Sequence, residues 1–183
     1  MEILIIIALT LLNGVFAMSE IAVVSARKAR LEGLAKRGSA SARRAFELAE
    51  SPNRFLSTVQ IGITLIGILL GIFSGETLTD DLQTQLARVP FLQSGARPLA
   101  VGGVLLFITF LSLVLGELMP KRIGLNNPEV IAQLVAGPMS VLSRVVSPFV
   151  WLLTITTEGL LKVLGVKPLT DSSVTEEEIK AII

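Results

Sequence analysis

Glu117 is the only ionisable residue from Leu99 to Leu118, at the end of a long apolar run. A carboxylate at the edge of a membrane-spanning segment is costly unless it faces protein, water or a cation. It lies between Gly116 and Pro120, and a proline removes the hydrogen-bond donor for the carbonyl four residues earlier, here that of Gly116. This combination predicts a loosened helix whose oxygen atoms could hold a hard cation.

Further oxygen donors stand at the ends of the other apolar runs. Ser19, Glu20 and Ser25 lie near the end of the first run, and Asn53 stands at the start of the second. Magnesium takes about six oxygen ligands in near-octahedral geometry. The chain has no cysteine and no histidine, which excludes thiolate and imidazole ligands, so any metal it binds should prefer oxygen.

Each donor also has a purely structural interpretation, which the sequence leaves open. Serines in membrane helices often bond to the carbonyl four residues earlier, and an asparagine at a helix start can cap it. Glu117 could pair with Lys121 one turn later, and Glu20 could pair with Arg54 or a nearby lysine. The joint placement of the donors favours a cation site.

Ligands at these spacings cannot all converge from straight helices. Ser19 and Ser25 are six residues apart, which places them about 120° apart around an ideal helix. Both could bind one ion only if the helix bulges between them or frees the Ala22 carbonyl. We therefore predict non-ideal helix, most simply a π-bulge, between these serines and again around Gly116.

The composition is that of an integral membrane protein. Hydrophobic residues make up 51% of the chain and charged residues 17%, against about 25% charged in soluble domains. The mean hydropathy is +0.73. The aromatic residues lie mostly within apolar runs, away from basic residues, so nucleic-acid binding is not expected. No convincing nucleophile–base pair is present, so we do not expect an enzyme.

Three apolar runs are long enough to cross a bilayer, at residues 1–26, 55–75 and 98–118. Between the first two, residues 27–54 carry eight Lys/Arg and three acids and should form an amphipathic helix or a helical hairpin, and Ser51–Pro52 should begin the next helix. The positive-inside rule places residues 27–54 in the cytoplasm and the N-terminus and residues 76–97 outside.

Residues 130–164 are apolar but interrupted by Gly137–Pro138, Arg144 and Pro148. One crossing, two short crossings, or a pair of short helices at the cytoplasmic interface are all conceivable, and we favour the pair, which leaves the C-terminus in the cytoplasm. The predicted fold is all-α, with three transmembrane helices and short juxtamembrane helices in residues 1–170. Thr175 and Glu178 form a capping box, so residues 171–183 should start a linker helix.

Small residues recur at four-residue spacing in two of the runs. Gly67, Gly71 and Gly75 lie in the second run, and Ser112 and Gly116 lie in the third. Such spacing lets helices approach closely, within one chain or between two.

The motifs resemble those of the CorC/cyclin-M family of magnesium transporters. They are Ser19-Glu20-Ile21-Ala22 with Ser25, Ser51-Pro52-Asn53-Arg54-Phe55-Leu56 leading into Gln60-Ile61-Gly62, Gly116-Glu117-Leu118-Met119-Pro120-Lys121, and Thr175-Glu176-Glu177-Glu178-Ile179. In order, they cover nearly the whole chain.

The resemblance implies a homodimeric magnesium exporter, coupled to sodium, in which nucleotide-binding CBS domains follow the membrane domain. The Mg²⁺ ligands that it implies are Ser19, Ser25, Asn53, the Gly116 carbonyl and Glu117. Glu20, Ala22 and Lys121 are candidates for supporting roles or for the sodium site. The competing hypothesis is a membrane anchor and dimerisation module for a cytoplasmic sensor, in which the acids serve only as structural pairs.

Overall fold

The computed structural model describes residues 2–75 and 77–165, and within them it contains helices and no strands. The helices are α1 (Glu2–Ser25), α2 (Lys28–Lys36), α3 (Ala40–Glu50), α4 (Pro52–Gly75), α5 (Thr77–Leu86), α6 (Ala96–Leu113), α7 (Met119–Asn126) and α8 (Pro128–Val163). A π-helical segment, Val114–Leu118, joins α6 to α7. The all-α prediction is confirmed for these residues, and the predicted linker helix at residues 171–183 lies outside them.

Four stretches of the described chain are long and apolar enough to cross a membrane. They are Ile3–Ser25, Pro52–Leu86, Gln93–Asn126 and Pro128–Val163. The first lies within the predicted run 1–26, and the next two contain the runs 55–75 and 98–118. Helix α4 begins at Pro52, as expected from the Ser51–Pro52 pair. The fourth candidate means that the predicted count of three crossings is not confirmed.

The basic stretch after α1 forms two helices rather than one. Ser39 caps α3 by accepting a hydrogen bond from the Ala42 backbone N–H at 3.3 Å. Ala42, Ala45 and Ala49 are buried at helical spacing, while the charged residues of α3 lie on its other face. Of the two predicted alternatives, the helical hairpin is therefore the one that forms, and α2 packs against α3.

A buried carboxylate ties this hairpin to the beginning of α8. Glu129 is only 7% exposed. Its oxygens lie 3.6 Å from Arg27 Nε and 3.5 Å from Arg30 Nη1. An acid in the first turn of a helix also interacts favourably with the helix dipole. The end of α1 and the start of α8 are thus joined through one side chain.

The prediction of two short helices in residues 130–164 is wrong. One helix of 36 residues, α8, runs through Pro138 and Pro148. Each proline removes one backbone hydrogen bond, and membrane helices tolerate this where neighbouring groups re-satisfy the backbone. The chain divides into two compact units at Val145/Val146, inside α8. The second unit begins with the exposed apolar end of that helix, including Phe149, Trp151 and Leu160.

Glycines allow the backbone of α1 to pack closely against the π-helical segment and α7. A Cβ placed on Gly14 would lie 2.8 Å from Pro120 Cγ and 2.9 Å from the Leu115 carbonyl oxygen. One on Gly124 would lie 2.8 Å from the Met18 carbonyl oxygen. Later residues of α1 contact later residues of the π-helical segment and α7, so α1 runs parallel to them. The three-crossing prediction requires the first and third runs to be parallel.

The glycine spacing in α4 has a different outcome. Added Cβ atoms on Gly67 and Gly71 would meet nothing within 4 Å, and the surroundings of Gly75 lie outside the described part of the chain. Instead, Gly62 lies against Phe16, whose ring would be 2.5 Å from an added Cβ. Gly116 does make a close contact, so of the predicted close-packing glycines it is the one that the single chain uses.

We expect Gly14→Ala to lower the apparent melting temperature in detergent by roughly 3–10 °C. The added methyl group would overlap both Pro120 and a backbone oxygen, and overpacking costs about 1–3 kcal/mol. Gly102→Ala is the matched control, because a Cβ there meets nothing within 4 Å. It should leave the melting temperature unchanged or raise it. Equal behaviour of the two variants would contradict the close approach of α1.

Candidate cation site at the π-helical segment

The third run loses regular α-helical hydrogen bonding at Val114–Leu118, where a disruption around Gly116 was predicted. The Met119 backbone N–H donates to the Val114 carbonyl, five residues earlier. Pro120 has no N–H to donate, and Gly116 has no side chain to resist the wider turn. The prediction of a π-bulge is confirmed at this position.

The carbonyl of Gly116 has a partner from another helix. Asn13 Nδ2 in α1 donates a hydrogen bond to Gly116 O at 3.1 Å. Asn13 was not among the predicted site residues, although it is an amide in the middle of an otherwise apolar run. Such a residue is expensive in a membrane unless it bonds to protein, and this was the signal available.

The Glu117 carboxylate forms an ion pair with a residue one turn later, in α7. Lys121 Nζ lies 2.7 Å from Glu117 Oε1. The side chains are 43% exposed for Glu117 and 36% for Lys121, so the protein encloses neither group. The structural alternative considered for Glu117 therefore forms.

Glu117 lines a cavity among α1, α4, α5 and α6, called here the Glu117 cavity. Its volume is about 470 Å³. Its polar lining residues are Asn13, Thr79, Thr109, Ser112 and Glu117, and the other lining residues are apolar or glycine. The described residues contain no group of three or more His, Cys, Asp or Glu that could hold a metal. A cation bound here would rely on one carboxylate and neutral oxygens.

The predicted ligands on α1 lie further along that helix. Asn13 faces the π-helical segment, and Ser19 and Ser25 follow it by six and twelve residues, roughly 9 Å and 18 Å along the axis. Ser19 is fully buried, and its hydroxyl donates to the Val15 carbonyl at 2.6 Å. Ser25 is the last residue of α1 and is exposed.

The prediction of a bulge between Ser19 and Ser25 is wrong. The α-helix runs unbroken from Glu2 to Ser25. The Ala22 carbonyl is not freed, because it accepts a hydrogen bond from the Ala26 N–H at 3.0 Å. Unlike the third run, this stretch contains no proline, so every backbone donor remains available to the helix.

The remaining predicted residues are placed as follows. Asn53 is the second residue of α4 and is exposed. Glu20 is half-buried, and its side chain forms no hydrogen bond or ion pair with any described residue. The structure thus groups Gly116, Glu117 and Lys121 with Asn13, and it places the other candidates elsewhere.

Comparison with known proteins identifies the family. The sequence matches the Cyclin M transmembrane N-terminal domain (CNNM) over residues 4–183. The chain belongs to the CNNM transmembrane family. The resemblance drawn from the sequence motifs is therefore confirmed, and with its long apolar helices this CNNM domain is a multi-pass membrane protein.

Relatives of this CNNM domain are longer proteins. UPF0053 protein sll0260 of Synechocystis is 49% identical over 183 residues, which cover 100% of this chain and 41% of that protein. A polyamine export protein of Haemophilus influenzae is 30% identical, with 99% of this chain and 42% of that protein covered. The Escherichia coli polyamine export protein is 29% identical, with 100% and 40% covered. The chain spans about two fifths of the length of these relatives.

We expect Asn13→Leu to destabilise the CNNM domain by about 1–3 kcal/mol, because it removes the donor to Gly116 O and leaves a carbonyl unsatisfied in an apolar setting. Thermal unfolding in detergent measures the change. The control is Thr10→Val at the same helix contact, since the Thr10 hydroxyl donates to Ile6 O within α1 at 2.8 Å. A loss as large for Thr10→Val as for Asn13→Leu would contradict a special role of the amide.

Proposed function

We propose that this domain is the membrane part of a cation transporter that exports Mg²⁺, with sodium as the coupling ion. The observation that carries the proposal is the Glu117 carboxylate beside a π-helical turn, lining a cavity between helices. A divalent ion in a low-dielectric site requires at least one full negative charge nearby. Family membership makes a transport role the natural expectation, and it favours the transporter over the alternative of a membrane anchor.

The Lys121 ammonium would compete with a bound cation for the Glu117 carboxylate. Its ammonium holds Glu117 when no ion is bound, so the carboxylate is never left unpaired in the membrane. An arriving Mg²⁺ carries twice the charge and would displace the ammonium, which the protein does not enclose. The exchange provides binding that is reversible, as transport requires.

Full coordination would need α1 to move. The Gly116 carbonyl is already near Glu117, whereas Ser19 and Ser25 lie further along α1 and Asn53 lies at the start of α4. We propose that these residues complete the Mg²⁺ shell in a state in which α1 shifts along the third run. Without such a shift, the ion would keep part of its water shell, as magnesium usually does.

A polyamine is the second candidate cargo. The Glu117 cavity is large, at about 470 Å³, and most of its lining is apolar, with the carboxylate at one side. A polyamine has ammonium groups separated by methylene chains, so one charged end could pair with Glu117 while the chain lies along the apolar walls. Three relatives with similar sequences are polyamine export proteins.

Flux measurements on the chain reconstituted in sealed liposomes distinguish the two cargoes. We expect Mg²⁺ flux that increases with an opposing sodium gradient and that falls by at least about tenfold in Glu117→Gln, which keeps the shape and removes the charge. Glu50→Gln, at the exposed end of α3, is the matched control and should transport normally. Spermidine flux with the same sensitivity, and no Mg²⁺ flux, would replace magnesium by polyamine. Wild-type flux of both in Glu117→Gln would move the site elsewhere.

We also propose the orientation and assembly expected from the sequence: N-terminus outside, C-terminus in the cytoplasm, and a homodimer. The chain contains no native cysteine, so single cysteines report sidedness cleanly. Ser94→Cys should react with an impermeant reagent outside, and Ser39→Cys and Leu164→Cys only from the cytoplasm. Outside labelling at position 164 would show that α8 crosses the membrane. A strictly monomeric mass in lipid nanodiscs would refute the dimer.

A further inference from the structure

A second cavity, called here the arginine cavity, lies where α3, the first turn of α4 and the first half of α8 meet. Its volume is about 200 Å³. Arg44, Arg54 and Arg144 line it, one from each of the three helices. Arg44 reaches across to α8, where its Nη1 lies 3.6 Å from the position of a Cβ on Gly137. Three arginines from separate helices therefore border one small space.

The charge around this space is strongly positive. The one carboxylate among its lining residues is Glu47, and Glu47 Oε1 is already 3.7 Å from Arg43 Nε on the outer surface of α3. Within the described ranges, Arg44 and Arg144 form no hydrogen bond or ion pair, whereas Arg54 has a partner of its own. The two unpaired charges of Arg44 and Arg144 would attract an anion to the space that they border.

Hydroxyl groups supplement the guanidinium donors. Ser51, Ser140 and Ser143 also line the cavity. Ser143 is 6% exposed, and its hydroxyl lies 3.4 Å from that of Thr58. Forked guanidinium groups with added hydroxyls are the donors that recognise tetrahedral oxyanions, because each arginine can bond two oxygens at once.

The position of the cavity in the chain indicates the source of such an anion. The hairpin that carries Arg44 begins directly after the spanning helix α1 ends at Ser25, and Arg54 is in the first turn of the spanning helix α4. The cavity therefore lies at the boundary between membrane and water, at the level of lipid headgroups. Basic pockets between helices at this level bind anionic lipid headgroups. Apolar Leu48 and Phe55 also line the cavity and would contact the first methylene groups of the acyl chains.

We propose that the arginine cavity binds a phosphate group, and that it belongs to the headgroup of an anionic phospholipid. The volume is several times the roughly 30 Å³ that one water molecule occupies in the liquid, so a phosphate with its ester oxygens fits. The bound lipid would hold α3, α4 and α8 together through charge neutralisation. This site is separate from the Glu117 cavity and does not depend on the identity of the cargo.

Calorimetric titration of the purified chain in non-ionic detergent tests the proposal. The three titrants are phosphatidylglycerol, phosphatidylcholine and inorganic phosphate without lipid. We expect saturable binding of phosphatidylglycerol, weaker binding of phosphatidylcholine, and a loss of affinity of at least about tenfold in Arg44→Gln/Arg144→Gln, since each hydrogen bond to a charged group contributes substantially. The control is Lys28→Gln/Arg37→Gln, which removes the same charge from positions near the hairpin's first helix that do not line the cavity. It should bind within about twofold of wild type.

A further variant separates charge from geometry and guards against misfolding. Arg44→Lys/Arg144→Lys keeps both charges and loses the forked donors, so its affinity should lie between those of wild type and the glutamine variant. If inorganic phosphate binds as tightly as phosphatidylglycerol, with the same variant sensitivity, the ligand is a free anion and the lipid source is overturned. If neither phosphatidylglycerol nor inorganic phosphate binds, the site itself is overturned. The same holds if Arg44→Gln/Arg144→Gln and Lys28→Gln/Arg37→Gln lose affinity equally.

Discussion

A backbone carbonyl inside a membrane has no water to bond, so one that loses its helical donor needs another partner. Pro120 creates this need in the third run, and Asn13 meets it from α1 by donating to Gly116 O. The π-helical turn beside Glu117 is accommodated in the apolar interior because this one interaction satisfies its carbonyl. The candidate cation site thus lies where α1 supplies the hydrogen bond that Pro120 cannot.

The hydrogen bond is possible because the two helices are unusually close. Gly14 admits Pro120 and the Leu115 carbonyl, and Gly124 admits the Met18 carbonyl, at distances where any side chain would overlap. These contacts are close-packed, and packed interfaces change between discrete arrangements more readily than they deform continuously. The shift of α1 proposed above would therefore exchange one packed arrangement for another.

Structural features that depend on neighbouring residues in the sequence were predicted, whereas features that depend on distant contacts were not. The π-helical turn was foreseen from Gly116 and Pro120, because a missing donor acts within one turn of its own helix. The unbroken α1 was not, because convergence of Ser19 and Ser25 on an ion was assumed before any packing was known. Pro148 was given too much weight: a proline removes one bond, and the rest of α8 continues regardless. Asn13 was missed because its partner lies 103 residues away.

The link between Glu129 and the hairpin arginines has a mechanical consequence. Glu129 has a 9% exposed side chain, and among the described side-chain atoms its Oε1 is buried without a hydrogen-bond donor. Moving Arg27 and Arg30 away would leave a buried charge unpaired, which costs about 3–5 kcal/mol. The residues that directly follow α1 and the first turn of α8 are therefore held together. The shift of α1 proposed above would carry the first turn of α8 with it.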